Sequence, residues 1–171
     1  MHKQKKGFFG VTRHSDFVNR LYILFYSSIS APIILLCFGL GRYQKPNSYA
    51  SPYVIFPEWF VWLLALSCIG VAFSGIFLYK KRIPNAKAQV LLRWKVQRFL
   101  RASSYQYTLP AFAGSFAGLG YYMTGAGEFA IVVISILSFL LLQRPTTKKA
   151  CKELSLQNEE ISLFRSGQIW A

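Results

Sequence analysis

Six acidic residues are spread over 171 positions, and two of them, Glu58 and Glu128, each stand immediately before a long apolar block. A carboxylate at a helix start ordinarily serves the positive end of the helix dipole. Drawn below a membrane surface, the same group would hold its proton more tightly and could bind a cation or relay protons. Glu128 is therefore the candidate ion or proton site, with Glu58 as its counterpart. The two histidines, His2 and His14, both precede the first apolar block, which argues against a haem ligated inside a helix bundle. Cys37, Cys68 and Cys151 show no CxxC spacing and read as small hydrophobes rather than as a disulfide framework or a zinc site. No HExxH, nucleophile elbow or phosphate loop is present. The expectation is a chain with no catalytic residues, no metal and no cofactor. Ser27, Ser30, Ser67, Ser74, Ser135 and Ser138 either line a polar path or bond their own helix backbone, and the second reading is favoured.

These residues must be positioned by elements made mostly of hydrocarbon. Hydrophobic residues make up 53% of the chain and aromatics 17%, gathered into four blocks at residues 21–40, 59–79, 108–123 and 129–142. Such blocks suit a hydrocarbon layer about 30 Å thick. Pro32 interrupts the first, and tyrosines 43, 49 and 53 follow it as an aromatic belt would. The second opens at Pro57-Glu58 and is expected to stop at Lys80-Lys81-Arg82. The fourth would rise only about 21 Å at ~1.5 Å per residue, so it falls short of a full crossing.

Charge distribution orients the blocks. The net charge is +14, with five Lys or Arg before the first block, two after it, eight after the second, none after the third and five after the fourth. Short loops rich in Lys and Arg stay on the inner side, which places the basic segment 1–20, the central loop and the tail 144–171 inside. Topology and attraction to anionic lipid head groups account for the charge; no recognisable nucleic-acid module carries it, and no nucleic-acid partner is expected. The first block reads as an uncleaved signal anchor. With Asp16 its only acid, the basic segment ahead of it also has the character of a mitochondrial import sequence.

Packing is most legible in the third block. Phe112, Phe116, Leu119 and Met123 form one bulky stripe, while Ala111, Gly114 and Gly118 lie to one side and Ala117 to the other. Small residues let helix backbones approach closely, so these four, with Gly70 and Ser74 of the second block, are the expected helix-packing positions. Residues 85–103 read as an amphipathic helix, with Ala88, Leu92, Val96, Phe99 and Leu100 on one face and Lys87, Arg98 and Arg101 opposite, Trp94 among them. It either lies in the head-group layer or extends the third span. Lys80, Lys81, Arg82, Trp94, Arg98 and Arg101 are the expected contacts with inner-face lipid or a partner. A further helix starts at Thr146, where Ala150, Leu154, Ile161 and Phe164 recur at near-heptad spacing.

Tyr122-Met123-Thr124-Gly125, the run Leu140-Leu141-Leu142-Gln143-Arg144-Pro145-Thr146, Lys148-Lys149, Glu153-Leu154-Ser155-Leu156 and Glu159-Glu160 give residues 90–160 a similarity to a group of small bacterial inner-membrane proteins with no assigned activity. The resemblance implies a bacterial inner-membrane setting in preference to a mitochondrial one, and implies no mechanism.

The expected fold is all-α: an integral membrane four-helix bundle over residues 21–143, with an inner amphipathic segment and an inner C-terminal helix. The expected function is non-enzymatic, as a scaffold or accessory subunit binding a protein partner or a second copy. The competing reading is a small oligomeric transporter or channel for an ion or solute. A polar cavity reaching Glu128 would favour transport; a closed bundle with an exposed apolar patch on its inner helices would favour the scaffold.

Overall fold

A computed structural model describes residues 14–43, 57–158 and 160–162. Every regular element among them is helical: α1 (His14–Tyr43), α2 (Glu58–Lys87), α3 (Leu92–Thr124), α4 (Gly127–Leu142) and α5 (Thr147–Glu153). The expectations that fall on His2, on tyrosines 49 and 53, on Glu159 and on Phe164 lie outside the described residues, as does the His14 side chain. Ser15–Tyr43 and Glu58–Lys87 are long and apolar enough to cross a membrane, and α4 with α5 passes the same measure as a pair bent by 79°. α3 is longer but less hydropathic, because its apolar half is built from Gly, Ala and Ser and its first half carries Arg93, Lys95, Arg98 and Arg101.

α3 holds the other helices together. Against α1 its contacts advance in step along both helices. Phe99 meets Phe17 (ring centroids 6.1 Å apart), Tyr107 meets Phe25 (5.9 Å), and Tyr121 meets Tyr43 (5.7 Å). Between these rings the backbones close up: a Cβ on Gly114 would stand 3.1 Å from Pro32 Cγ, and one on Gly118 would stand 2.9 Å from Leu35 Cβ. α1 and α3 are therefore parallel. α2 runs the opposite way, with Gly75 seated so closely on α3 that a Cβ would come within 2.8 Å of the Tyr105 carbonyl oxygen. α4 is also antiparallel to α3, its Phe129 packed on Gly120 and its Ile136 beside Gly114. α1 and α2 pack on α3 and α4 more than on each other.

Three sequence expectations are revised. Gly70 and Ser74 do not pack against another helix: both are exposed, and a Cβ on Gly70 would meet open space. The contact face of α2 runs instead through Val61, Ala65, Cys68, Ala72, Gly75 and Tyr79, a 3.5-residue repeat that antiparallel neighbours interlock with. Second, Lys80-Lys81-Arg82 does not end α2. The helix continues to Lys87, with Ala86 fully buried against the bundle and Pro84 accommodated on an exposed side. Third, residues 85–103 are not one element: Lys87 closes α2, Ala88 is an exposed turn residue, and Leu92 begins a helix continuous with the third apolar block. The amphipathic stretch is thus a stem of α3. Phe112, Phe116, Leu119 and Met123 face outward along that helix, while Ala113, Gly114, Ala117 and Gly118 are buried.

Candidate functional site

The basic residues of α2, α3 and α5 gather at one end of the bundle, and α4 stops short of it. α4 has 16 residues where α3 has 33. Its end is fixed by Gln143, whose backbone carbonyl accepts a hydrogen bond from the Tyr107 hydroxyl at 3.0 Å. Pro145 blocks helical continuation, and Thr146 caps the next helix by accepting the Lys149 N–H at 3.2 Å. The chain turns by 79° into α5. Ala150, Leu154 and Leu156 then join an apolar core with Phe17, Val96, Phe99 and Leu100.

Where α4 ends, a partly buried polar cluster forms. The Gln143 side-chain oxygen accepts from Gln106 Nε2 at 3.3 Å and from Lys149 Nζ at 2.5 Å. Tyr79 donates its hydroxyl to the Glu153 carboxylate. Gln106 is 4% exposed. Between Ser103, Gln106, Tyr107, Lys149 and Glu153 lies a cavity of about 10 Å³, roughly the space one water needs. Among the described residues every buried side-chain donor and acceptor has a partner, so the cluster is a finished network rather than an open binding pocket. Its chemistry is to tie α2, α3, the end of α4 and α5 together through charge-assisted hydrogen bonds.

A second tie lies further along the stem. Lys95 Nζ and Glu160 Oε1 form an ion pair at 2.5 Å, and the other Glu160 oxygen accepts the Gln157 N–H at 3.1 Å. Partial burial disfavours the Glu160 carboxylate, but the Lys95 hydrogen bond and charge and the Gln157 N–H outweigh it and hold its pKa below the ordinary value.

The expected surface residues Lys80, Lys81, Arg82, Trp94, Arg98 and Arg101 are all exposed. Arg82 lies over the Tyr105 ring at 4.4 Å, and Arg98 donates to the Asn85 carbonyl at 3.4 Å, which stiffens the α2–α3 hairpin. At its tip Val90, Leu91 and Trp94 are 91%, 61% and 45% exposed, beside Lys87, Arg93 and Arg98.

Glu58 and Glu128 sit at the opposite end, in the first turns of α2 and α4, the first exposed and the second half-buried. Neither lines the cavity. There, Arg42 and the Tyr43 hydroxyl each donate to the Tyr122 carbonyl at 3.3 Å, and Gly125 closes α3 at φ +71°. Ser27, Ser30, Ser67, Ser74 and Ser135 donate to carbonyls of their own helices. Among the described residues no group of three His, Cys, Asp or Glu side chains is placed to hold a metal. The structure thus assembles Tyr79, Gln106, Tyr107, Gln143, Lys149 and Glu153, none of which the sequence marks as a site, although Gln143, Lys149 and Glu153 stand among the residues that carry the resemblance. Their one sequence signal is the shortness of the fourth apolar block, which draws the polar residues after it up to the level of Tyr107. No protein-family model, no curated protein and no solved structure matches this chain.

Proposed function

We propose that the protein is a non-enzymatic scaffold or accessory subunit of a membrane complex. In this reading it crosses a bacterial inner membrane four times, with the basic end of the bundle inside. The observation that carries the proposal is the hairpin tip, where Val90, Leu91 and Trp94 are exposed in a strongly basic setting. The α2–α3 hairpin extends about 12 Å beyond Lys80 at ~1.5 Å per residue, so its apolar tip stands clear of the hydrocarbon that would cover the exposed side chains of the spans. An apolar anchor rimmed by Lys87, Arg93 and Arg98 fits a partner surface with an apolar cleft and acidic edges. Closely packed Ala and Gly faces at the centre of the bundle also favour a solid support over a conduit.

The test is mild detergent extraction of the tagged protein at native expression, followed by native mass measurement and identification of co-purifying chains. A stoichiometric partner lost on Trp94→Ala with Leu91→Ser is the expected result. A partner-free homo-oligomer that the same substitutions leave unchanged would remove the proposal and redirect attention to flux measurements on Glu128→Gln.

A further inference from the structure

α4 and α5 together create a feature that the scaffold reading does not use. α4 ends level with Tyr107 through the Tyr107–Gln143 hydrogen bond, and Tyr107 in turn packs on Phe25 of α1. Arg20 and Arg101, the first charges met beyond these positions on the neighbouring helices, lie further along the bundle by about one and a half turns. The chain does not simply leave at that level. It bends by 79° and lays α5 across the end of the short helix, with Ala150 buried. Lys148 and Lys152 lie two residues to either side of Ala150, so at 100° per residue both point away from the bundle, and both are exposed. Arg144, in the turn itself, is exposed as well. Immediately before it, Leu141 and Leu142 are 59% and 85% exposed.

Among the described residues of this segment, the two carboxylates are engaged elsewhere: Glu153 accepts from Tyr79, and Glu160 pairs with Lys95. Lys149 is turned inward to Gln143. What remains outside is a bare apolar helix end joined directly to three outward cations.

We propose that Arg144, Lys148 and Lys152 bind the phosphate of an anionic phospholipid whose acyl chains lie against Leu141 and Leu142. The inference rests on the four-span reading above, with this end of the bundle at the inner leaflet. The short α4 draws the head group inward by a local thinning of the bilayer, and α5 supplies the charge at that depth. The site distinguishes anionic from zwitterionic lipid because phosphatidylcholine carries its own cation.

The experiment uses the full chain in mild detergent, titrated with phosphatidylglycerol, phosphatidylcholine or inorganic phosphate and read by native mass measurement of bound lipid. Phosphatidylglycerol is expected to stay bound where phosphatidylcholine does not. Combining Arg144→Gln, Lys148→Gln and Lys152→Gln is expected to weaken it on the order of a hundredfold. Lys87→Gln with Arg93→Gln and Arg98→Gln, which removes as much charge from the hairpin tip, is expected to leave it unchanged. Equal retention of the two lipids, or equal loss in the two triple variants, would overturn the site. Inorganic phosphate competing at the lipid's own affinity would reassign it to a soluble anion and overturn it too. Unchanged helicity and elution volume show that the variants fold. With Cys37, Cys68 and Cys151 replaced by Ser, thiol labelling of Asn158→Cys and Thr124→Cys from each face of sealed vesicles tests the span reading separately: reaction from the same side would refute four spans whatever the lipid result.

Discussion

The middle of the bundle and its basic end differ in where their large side chains go. In the middle, large side chains such as Phe73, Phe77, Phe112, Phe116 and Ile131 point outward, while Ala65, Ala72, Ala113, Gly114 and Ala117 let the helices close up around a buried set that includes Ile29, Val133 and Ile136. At the basic end the arrangement is the familiar one of a water-soluble domain: Phe17, Val96, Phe99, Leu100 and Leu154 are buried, and lysines and arginines are outside. α3 passes through both regimes without a break. The two ends of one helix are thus held by different forces. Where lipid is the proposed solvent, burying a methyl group gains little over leaving it in hydrocarbon, so stability comes from close backbone approach and dispersion. At the basic end, removal of apolar surface from water does the work.

Truncating one phenylalanine in each region separates the two forces most directly. Phe99→Ala, at a buried ring touching Phe17 and Tyr79, is expected to destabilise by about 3–5 kcal/mol. Phe116→Ala, at a ring 59% exposed, is expected to stay within about 0.5 kcal/mol. Thermal unfolding in detergent compares them, and equal losses would mean the two regions share one solvent. The next test exchanges methyl groups for glycine hydrogens. Gly75→Val drives a Cβ onto the Tyr105 carbonyl oxygen and is expected to cost about 1–3 kcal/mol, whereas Gly70→Val on the open face of the same helix should be neutral. The smallest effect sharpens the picture of the basic end. Glu160 has its pKa held below the ordinary 4.5 by Lys95, so its ion pair contributes fully above that value and the contribution is lost as pH falls through the lower folded-state pKa. Limited proteolysis of the tail should therefore accelerate in acid for the natural chain, while Glu160→Gln should be cut faster at neutral pH and show little further change in acid.

The all-helical character of the described residues was legible because apolar blocks of that length have few other uses, and the outward stripe of α3 was legible because bulky and small residues segregate cleanly at helical spacing. The packing face and the end of α2 were not read correctly. Ser67, Gly70 and Ser74 are as small as Ala72 and Gly75, and composition alone does not say which small face meets a helix and which meets open space. The continuity of α3 through residues 92–107 was equally hidden, since an amphipathic stretch serves a surface helix or a stem alike. As for the polar cluster, Tyr79 and Glu153 are 74 positions apart, and neither carries a local pattern that points to the other. The hairpin tip was half visible: Trp94 stood out among charges, but Val90 and Leu91 looked like members of a continuous amphipathic helix until the turn at Ala88 released them.

The parallel register of α1 and α3 has a consequence in time. α1 is synthesised first, yet the face that Pro32, Leu35 and Gly39 present is completed only by Gly114, Gly118 and Tyr121 of α3. With translation running at ~5–20 residues per second, the matching positions of α3 follow after about 4–16 s. During that interval α1 waits with its docking face unfilled, while the helix made next offers it little contact. Of these helices α1 is thus the one most in need of a temporary companion, and its docking is paced by the synthesis of α3.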